Sequence, residues 1–123
     1  MPKEFSRIRR VEELLCRELA GLIETEMSDP RARLVTVTGA DVSKDLHYAR
    51  VYFTVVGSDA AHSAEAARAL NHAAGFLRHR LRSLLDLRTV PALEFRYDEN
   101  LEHARDLMEL IESTRGPEAG KDE

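Results

Sequence analysis

The chain has 123 residues with 18 basic and 22 acidic side chains, a net charge of −4, and 43% hydrophobic residues. That is enough apolar content for one domain with its own core, and no run approaches the ~18 apolar residues of a membrane helix. The lone cysteine, Cys16, excludes an intrachain disulfide, and its neighbours Leu14, Leu15 and Leu19 mark it as a packing residue.

The chain starts charged (Lys3, Glu4, Arg7, Arg9, Arg10) and no apolar segment follows, which predicts a cytoplasmic protein without a secretory signal. From Arg7 to Met27, Ile8, Val11, Leu15, Leu19 and Leu22 recur at three- and four-residue steps, the spacing of an amphipathic helix. Ser6 is placed to cap it, and Ser28-Asp29-Pro30 to end it, because a proline forces the preceding residue out of helical geometry. Leu34 to Val42 is rich in β-branched residues and reads as a strand with Gly39 at a bulge. Ser43 to Leu46 is a turn, and His47 to Val56 alternates as a second strand, so the two form an antiparallel hairpin. After a loop from Gly57 to Ser63, Ala64 to Leu85 is helical in pattern, with Gly75 as an interruption. Leu93 to Tyr97 reads as a third strand, and Leu101, Ala104, Leu107, Met108 and Ile111 space a last helix from Asn100 to Ser113.

The order helix, strand, strand, broken helix, strand, helix predicts an α+β two-layer sandwich in one domain, residues 1–113. Residues 114–123 are polar, contain Gly116, Pro117 and Gly120, and read as a disordered tail. From Asp98 onward nine acids face three bases, a local net charge of −6, which leaves residues 1–97 at +2. A near-neutral body of this kind can carry a basic face despite the acidic total.

A search for catalytic chemistry finds little. There is no glycine-rich phosphate loop, and no two of His47, His62, His72, His79 and His103 have the i, i+4 spacing of a helical metal pair. No nucleophile–base pair stands out, so neither an enzyme, a metal site nor a cofactor is expected. The cations say more. Lys3, Arg7, Arg9, Arg10 and Arg17 lie on the first helix; Arg31 and Arg33 precede the first strand; Lys44 and Arg50 belong to the hairpin; Arg78, Arg80 and Arg82 follow Gly75. Arginine forms bidentate bonds to phosphate and stacks on bases, so these clusters are candidates for RNA contact.

Helix-strand-strand-helix-helix-strand is the order of a type II KH domain, an RNA-binding fold whose G-x-x-G loop clamps the nucleic-acid backbone. The equivalent place here is Ala73-Ala74-Gly75, an A-x-G interruption. With Arg7-Ile8-Arg9-Arg10-Val11, Ser28-Asp29-Pro30-Arg31, Val35-Thr36-Val37-Thr38-Gly39, Val42-Ser43-Lys44-Asp45-Leu46, Ala73-Ala74-Gly75-Phe76-Leu77-Arg78 and Leu87-Arg88-Thr89-Val90-Pro91, the chain resembles the ribosome-binding factor A family over residues 3–112. The resemblance implies a factor that binds the free or immature 30S subunit and its 16S ribosomal RNA; nothing in the residues demands more than a monomer, and no membrane partner is expected. The resemblance also implies help in maturing the RNA's 5′ end, a role in the cold, and release aided by an assembly GTPase. The alanines imply that side-chain cations, more than a backbone clamp, carry the RNA contact. On the residues alone, a small α+β protein-interaction module without RNA binding remains the alternative.

Overall fold

The computed structural model describes residues 3–57 and 60–99. Helix α1 (Lys3–Glu26) buries Val11, Leu15, Leu19, Leu22 and Ile23, the apolar stripe that the spacing predicts. It begins before Ser6, which therefore lies in the helix and does not cap it. It also ends earlier than expected, at Glu26. Proline acts further on, at the first position of a 3-10 turn (Pro30–Ala32), where its missing N–H costs nothing. Asp29 caps that turn by accepting from the Arg31 amide at 2.9 Å.

Strands β1 (Val35–Val42) and β2 (Tyr48–Val55) form the expected antiparallel hairpin. Val37 pairs with Phe53 and Gly39 with Tyr52, so Thr38 is the extra residue of a bulge. The turn between the strands is held by Asp45, whose Oδ1 accepts from Ser43 Oγ (2.7 Å) and from the His47 amide (3.0 Å). Strand β3 (Ala92–Tyr97) runs parallel to β2, giving the sheet order β1-β2-β3. Parallel neighbours need a crossover, and helices α2 (Ala60–His72) and α3 (Ala74–Leu84) supply it. Helix α2 starts inside the stretch read as a loop, because alanine-rich sequence propagates helix well.

The helical interruption is at Ala73, two residues before the glycine. Ala73 has φ −89° and ψ 1°, and its amide is shared between the carbonyls of Ala69 and Leu70, each at 3.1 Å. A forked bond of this kind tightens the end of α2, and Leu77 then donates to the Ala73 oxygen at 2.9 Å to begin α3. Gly75 is an ordinary residue of α3 with no positive φ.

Helices cover one face of the sheet. Leu15, Leu19, Val51, Phe53, Leu70, Leu77 and Leu81 are fully buried between the layers, and Tyr97 stands edge-on to Phe53 at 5.8 Å. Two polar clasps fix the layers. Glu12 of α1 accepts from the Val42 amide at 2.9 Å. Asn71 of α2 bonds both backbone groups of Phe95, donating to its oxygen (3.0 Å) and accepting from its amide (2.8 Å). The architecture is the predicted α+β, type II KH-like sandwich. The helix expected over Asn100–Ser113 and the tail over 114–123 lie outside the described residues.

Candidate nucleic-acid interface

Helix α1 displays its cations according to the 100° step between residues. Arg10 and Arg17 are seven residues apart, nearly in line, and about 10 Å apart along the axis at 1.5 Å per residue. Both are exposed, Arg7 flanks them, and none of the three has a partner among the described residues. Arg9 and Arg17 border one groove, with Glu12, Glu13, Cys16 and the bulged segment of β1. Cys16 is no nucleophile there: burial, then the Glu12 and Glu13 carboxylates, push its thiol up. Lys44 is exposed in the hairpin turn, which the Glu12–Val42 bond ties to this half of α1. The side chain of Lys3 lies outside the described set.

The second group gathers where α1 ends. Arg31 forks onto Asp29, with Nη2 to Oδ2 at 2.7 Å. Arg80 reaches from α3 to Glu26 as a two-pronged pair at 2.8 and 2.7 Å. The Arg31 hydrogen bonds hold the Asp29 carboxyl down at about 2, and Arg80 lowers that of Glu26. Arg33 is exposed beside them and has no partner among the described residues. Helix α2 is close by, since it packs against the 3-10 turn that Asp29 caps.

The three arginines of α3 do not form one patch. Leu77 and Leu81 are buried between them, so Arg78 and Arg80 leave on opposite flanks. Arg78 is anchored through Nε to the Val90 carbonyl at 2.9 Å, Arg80 is paired with Glu26, and Arg82 alone is exposed without a partner among the described residues. Arg50 is separated from all of these. It lies on the sheet face turned away from the helices and binds Glu94 at 2.9 Å, with Arg96 on the same carboxylate at 3.6 Å.

Ala73 and Ala74 are half-buried, and only Gly75 of the interruption is exposed. The first-turn amides of α3 precede its first closed bond, so the positive end of a helix opens at this point. A side chain on Gly75 would meet nothing within 4 Å. Sequence reasoning missed Phe76, 46% exposed beside the break, together with exposed Arg68 and Arg88. Phe76 was legible in principle: it falls out of phase with the Leu77–Leu81 stripe.

No group of three metal-ligating side chains occurs among the described residues, and no described helix is long and apolar enough to cross a membrane. The cations fall in two groups, an outward stripe on α1 and a carboxylate-paired cluster at its end. Arg10 and Glu26 are about 24 Å apart along α1. The two groups therefore span a distance that suits a rigid polyanion more than a small ligand.

The sequence pattern of the family described as ribosome-binding factor A matches residues 7–111. The ribosome-binding factor A of Thiobacillus denitrificans is 44% identical over 119 residues, covering 97% of this chain and 95% of its own. The crystal structure of ribosome-binding factor A from Thermus thermophilus superposes with a TM-score of 0.66 at 32% identity, over 73% of this chain and 93% of that one. A Thermus thermophilus homology model, fitted into the cryo-EM map of a complex of that factor with 30S, superposes at 0.57 with 33% identity, over 69% and 88%. On the match across 7–111 and the near full-length identity, the chain belongs to the ribosome-binding factor A family.

Proposed function

We propose that this protein binds the free or immature small ribosomal subunit through 16S ribosomal RNA and assists maturation of that RNA's 5′ end, including in the cold. The observation that carries the proposal is family membership over almost the whole chain, with a relative placed in a 30S complex. The exposed arginines of α1 without a partner among the described residues (Arg7, Arg10, Arg17), with Arg33 and Arg82, are the groups suited to meet phosphate. The mechanism is binding without catalysis. A rigid protein that fits one arrangement of an RNA shifts the population toward it, and misfolded RNA helices persist longer in the cold. The factor acts as a cytoplasmic monomer and leaves when the subunit matures, with an assembly GTPase as the agent of release.

Co-sedimentation with separated small and large subunits across a salt series tests this. Selective binding to the small subunit that weakens steeply with salt is expected, because each phosphate contact releases counterions. Absence of binding to either subunit at low salt overturns the proposal. Salt-insensitive binding points instead to a protein-interaction module.

A further inference from the structure

Two of the candidate RNA-binding arginines are already holding anions, and the anions are carboxylates of the chain itself. Arg80 grips Glu26 with two nitrogens at 2.8 and 2.7 Å. Arg31 grips Asp29 through Nε and Nη2, the latter at 2.7 Å. Two parallel N–H bonds to one carboxylate are the geometry in which arginine also takes phosphate. Both carboxylates stand within three residues of each other, at the end of α1 and the cap of the following turn. Both pairs are partly exposed, with side chains 29–43% accessible, so an incoming phosphate can reach them. The neighbouring Arg33 is exposed and lacks a partner among the described residues.

We propose that Glu26 and Asp29 act as built-in competitors for RNA phosphate, so that this end of the molecule engages RNA only where a structured surface displaces both carboxylates from Arg80 and Arg31. The inference rests on the proposed RNA-directed function and names the residues that gate this end of the molecule. A flexible RNA brings one phosphate at a time against two pre-formed forks and against the repulsion of two carboxylates. A folded RNA already held by the α1 arginines brings several phosphates at fixed spacing, and exchange then occurs within one bound complex. Exposed ion pairs are weak enough for such exchange. Displacing Glu26 and Asp29 costs the same for any RNA, so generic RNA leaves the forks closed while the cognate surface opens them at that cost.

The test uses the full chain carrying Glu26→Gln and Asp29→Asn. Both changes keep an acceptor oxygen, so the cap on the Arg31 amide survives, and thermal unfolding checks that the fold does. Affinity is measured for poly(U) and for purified small subunits over a salt series. The double variant is expected to bind poly(U) about five- to ten-fold more tightly, with a salt slope steeper by nearly two phosphate contacts at about 0.7 each for single strands. Subunit binding, which already bears the cost of displacing both carboxylates, should tighten by at least as much. Adding Arg31→Ala and Arg80→Ala should cancel the gain on poly(U). An unchanged poly(U) affinity and slope in a folded double variant overturns the inference, as does a gain that survives loss of both arginines. Failure of the wild-type chain to bind small subunits, with the poly(U) gain intact, refutes the proposed function and leaves the masked arginines standing. Unchanged subunit affinity in a folded double variant also overturns the inference, because a subunit that displaces the carboxylates must gain from their removal.

Discussion

At the residue scale the most informative side chain is Asn71. One amide satisfies both backbone groups of Phe95 on the outer edge of β3, where no further described strand supplies partners. Asn71→Ala would strip both bonds from part-buried groups and should cost about 2 kcal/mol, read as a shift in urea midpoint with unchanged slope. Gly75 gives the opposite expectation. Its backbone is helical and a methyl group meets nothing, so Gly75→Ala should stabilise by about 0.5–1 kcal/mol and leave subunit binding intact. Loss of binding in that variant, with binding retained in Arg78→Ala plus Arg82→Ala, would mean that the backbone at the break carries the RNA contact. Leu34 is a different case: it is 65% exposed and held at φ 67°, where a side chain crowds its own backbone. Leu34→Gly should raise the thermal midpoint by relieving that strain, at little loss of buried area.

At the element scale, α1 is both the main support of the sheet and the main carrier of cations. Its inward stripe and outward arginines interleave along one helix, so the core positions Arg10 and Arg17 rigidly. Glu12 ties the same helix to the end of β1, and Glu12→Ala should cost about 1–2 kcal/mol by leaving the Val42 amide without a partner. The join from α1 to β1 adds an acid-sensitive device. The folded-state carboxyl of Asp29 sits at about 2, below its ordinary value near 3.8, and Glu26 is lowered as well. A group with a depressed folded pKa stabilises the fold above its unfolded pKa and loses that contribution as pH falls through the folded one. Wild-type stability should therefore carry an Asp29 component that fades between about pH 4 and about pH 2. Thermal melts of Asp29→Asn over that range should show a flatter decline.

At the scale of the whole molecule, charge is arranged in segments. Residues 1–97 are slightly basic and residues 98–123 carry −6, so the total of −4 says little about any one face. Within the described residues, the cations divide between the outward stripe of α1, the end of α1 with its two masked arginines, and the far face of the sheet, where Arg50 and Arg96 share Glu94. Replacing Arg10 and Arg17 together by alanine removes exposed charges that have no partner among the described residues and should flatten the salt dependence of subunit binding by nearly two phosphate contacts. Replacing Arg50, which is opposite the helices and already paired, should change it little. Equal effects from the two sites would show that the α1 stripe is not the RNA-facing surface.

Periodicity determined the elements of this protein, because apolar spacing must match the repeat of the backbone it sits on. The inward stripe of α1, the hairpin, the bulge beside Gly39 and the crossover before β3 were all readable in that way. Local signals did worse at element ends. Ser6, Pro30 and Gly75 each mark a change that the structure makes a few residues away, since packing and forked backbone bonds outweigh single-residue preferences there. The candidate site was legible as a set of arginines and not as a surface. Whether an arginine is free depends on which carboxylate or carbonyl the fold brings to it, and those partners are distant in sequence: Glu26 lies 54 residues from Arg80, and Glu94 lies 44 from Arg50. Only the tertiary structure decided which cations remain available to an RNA.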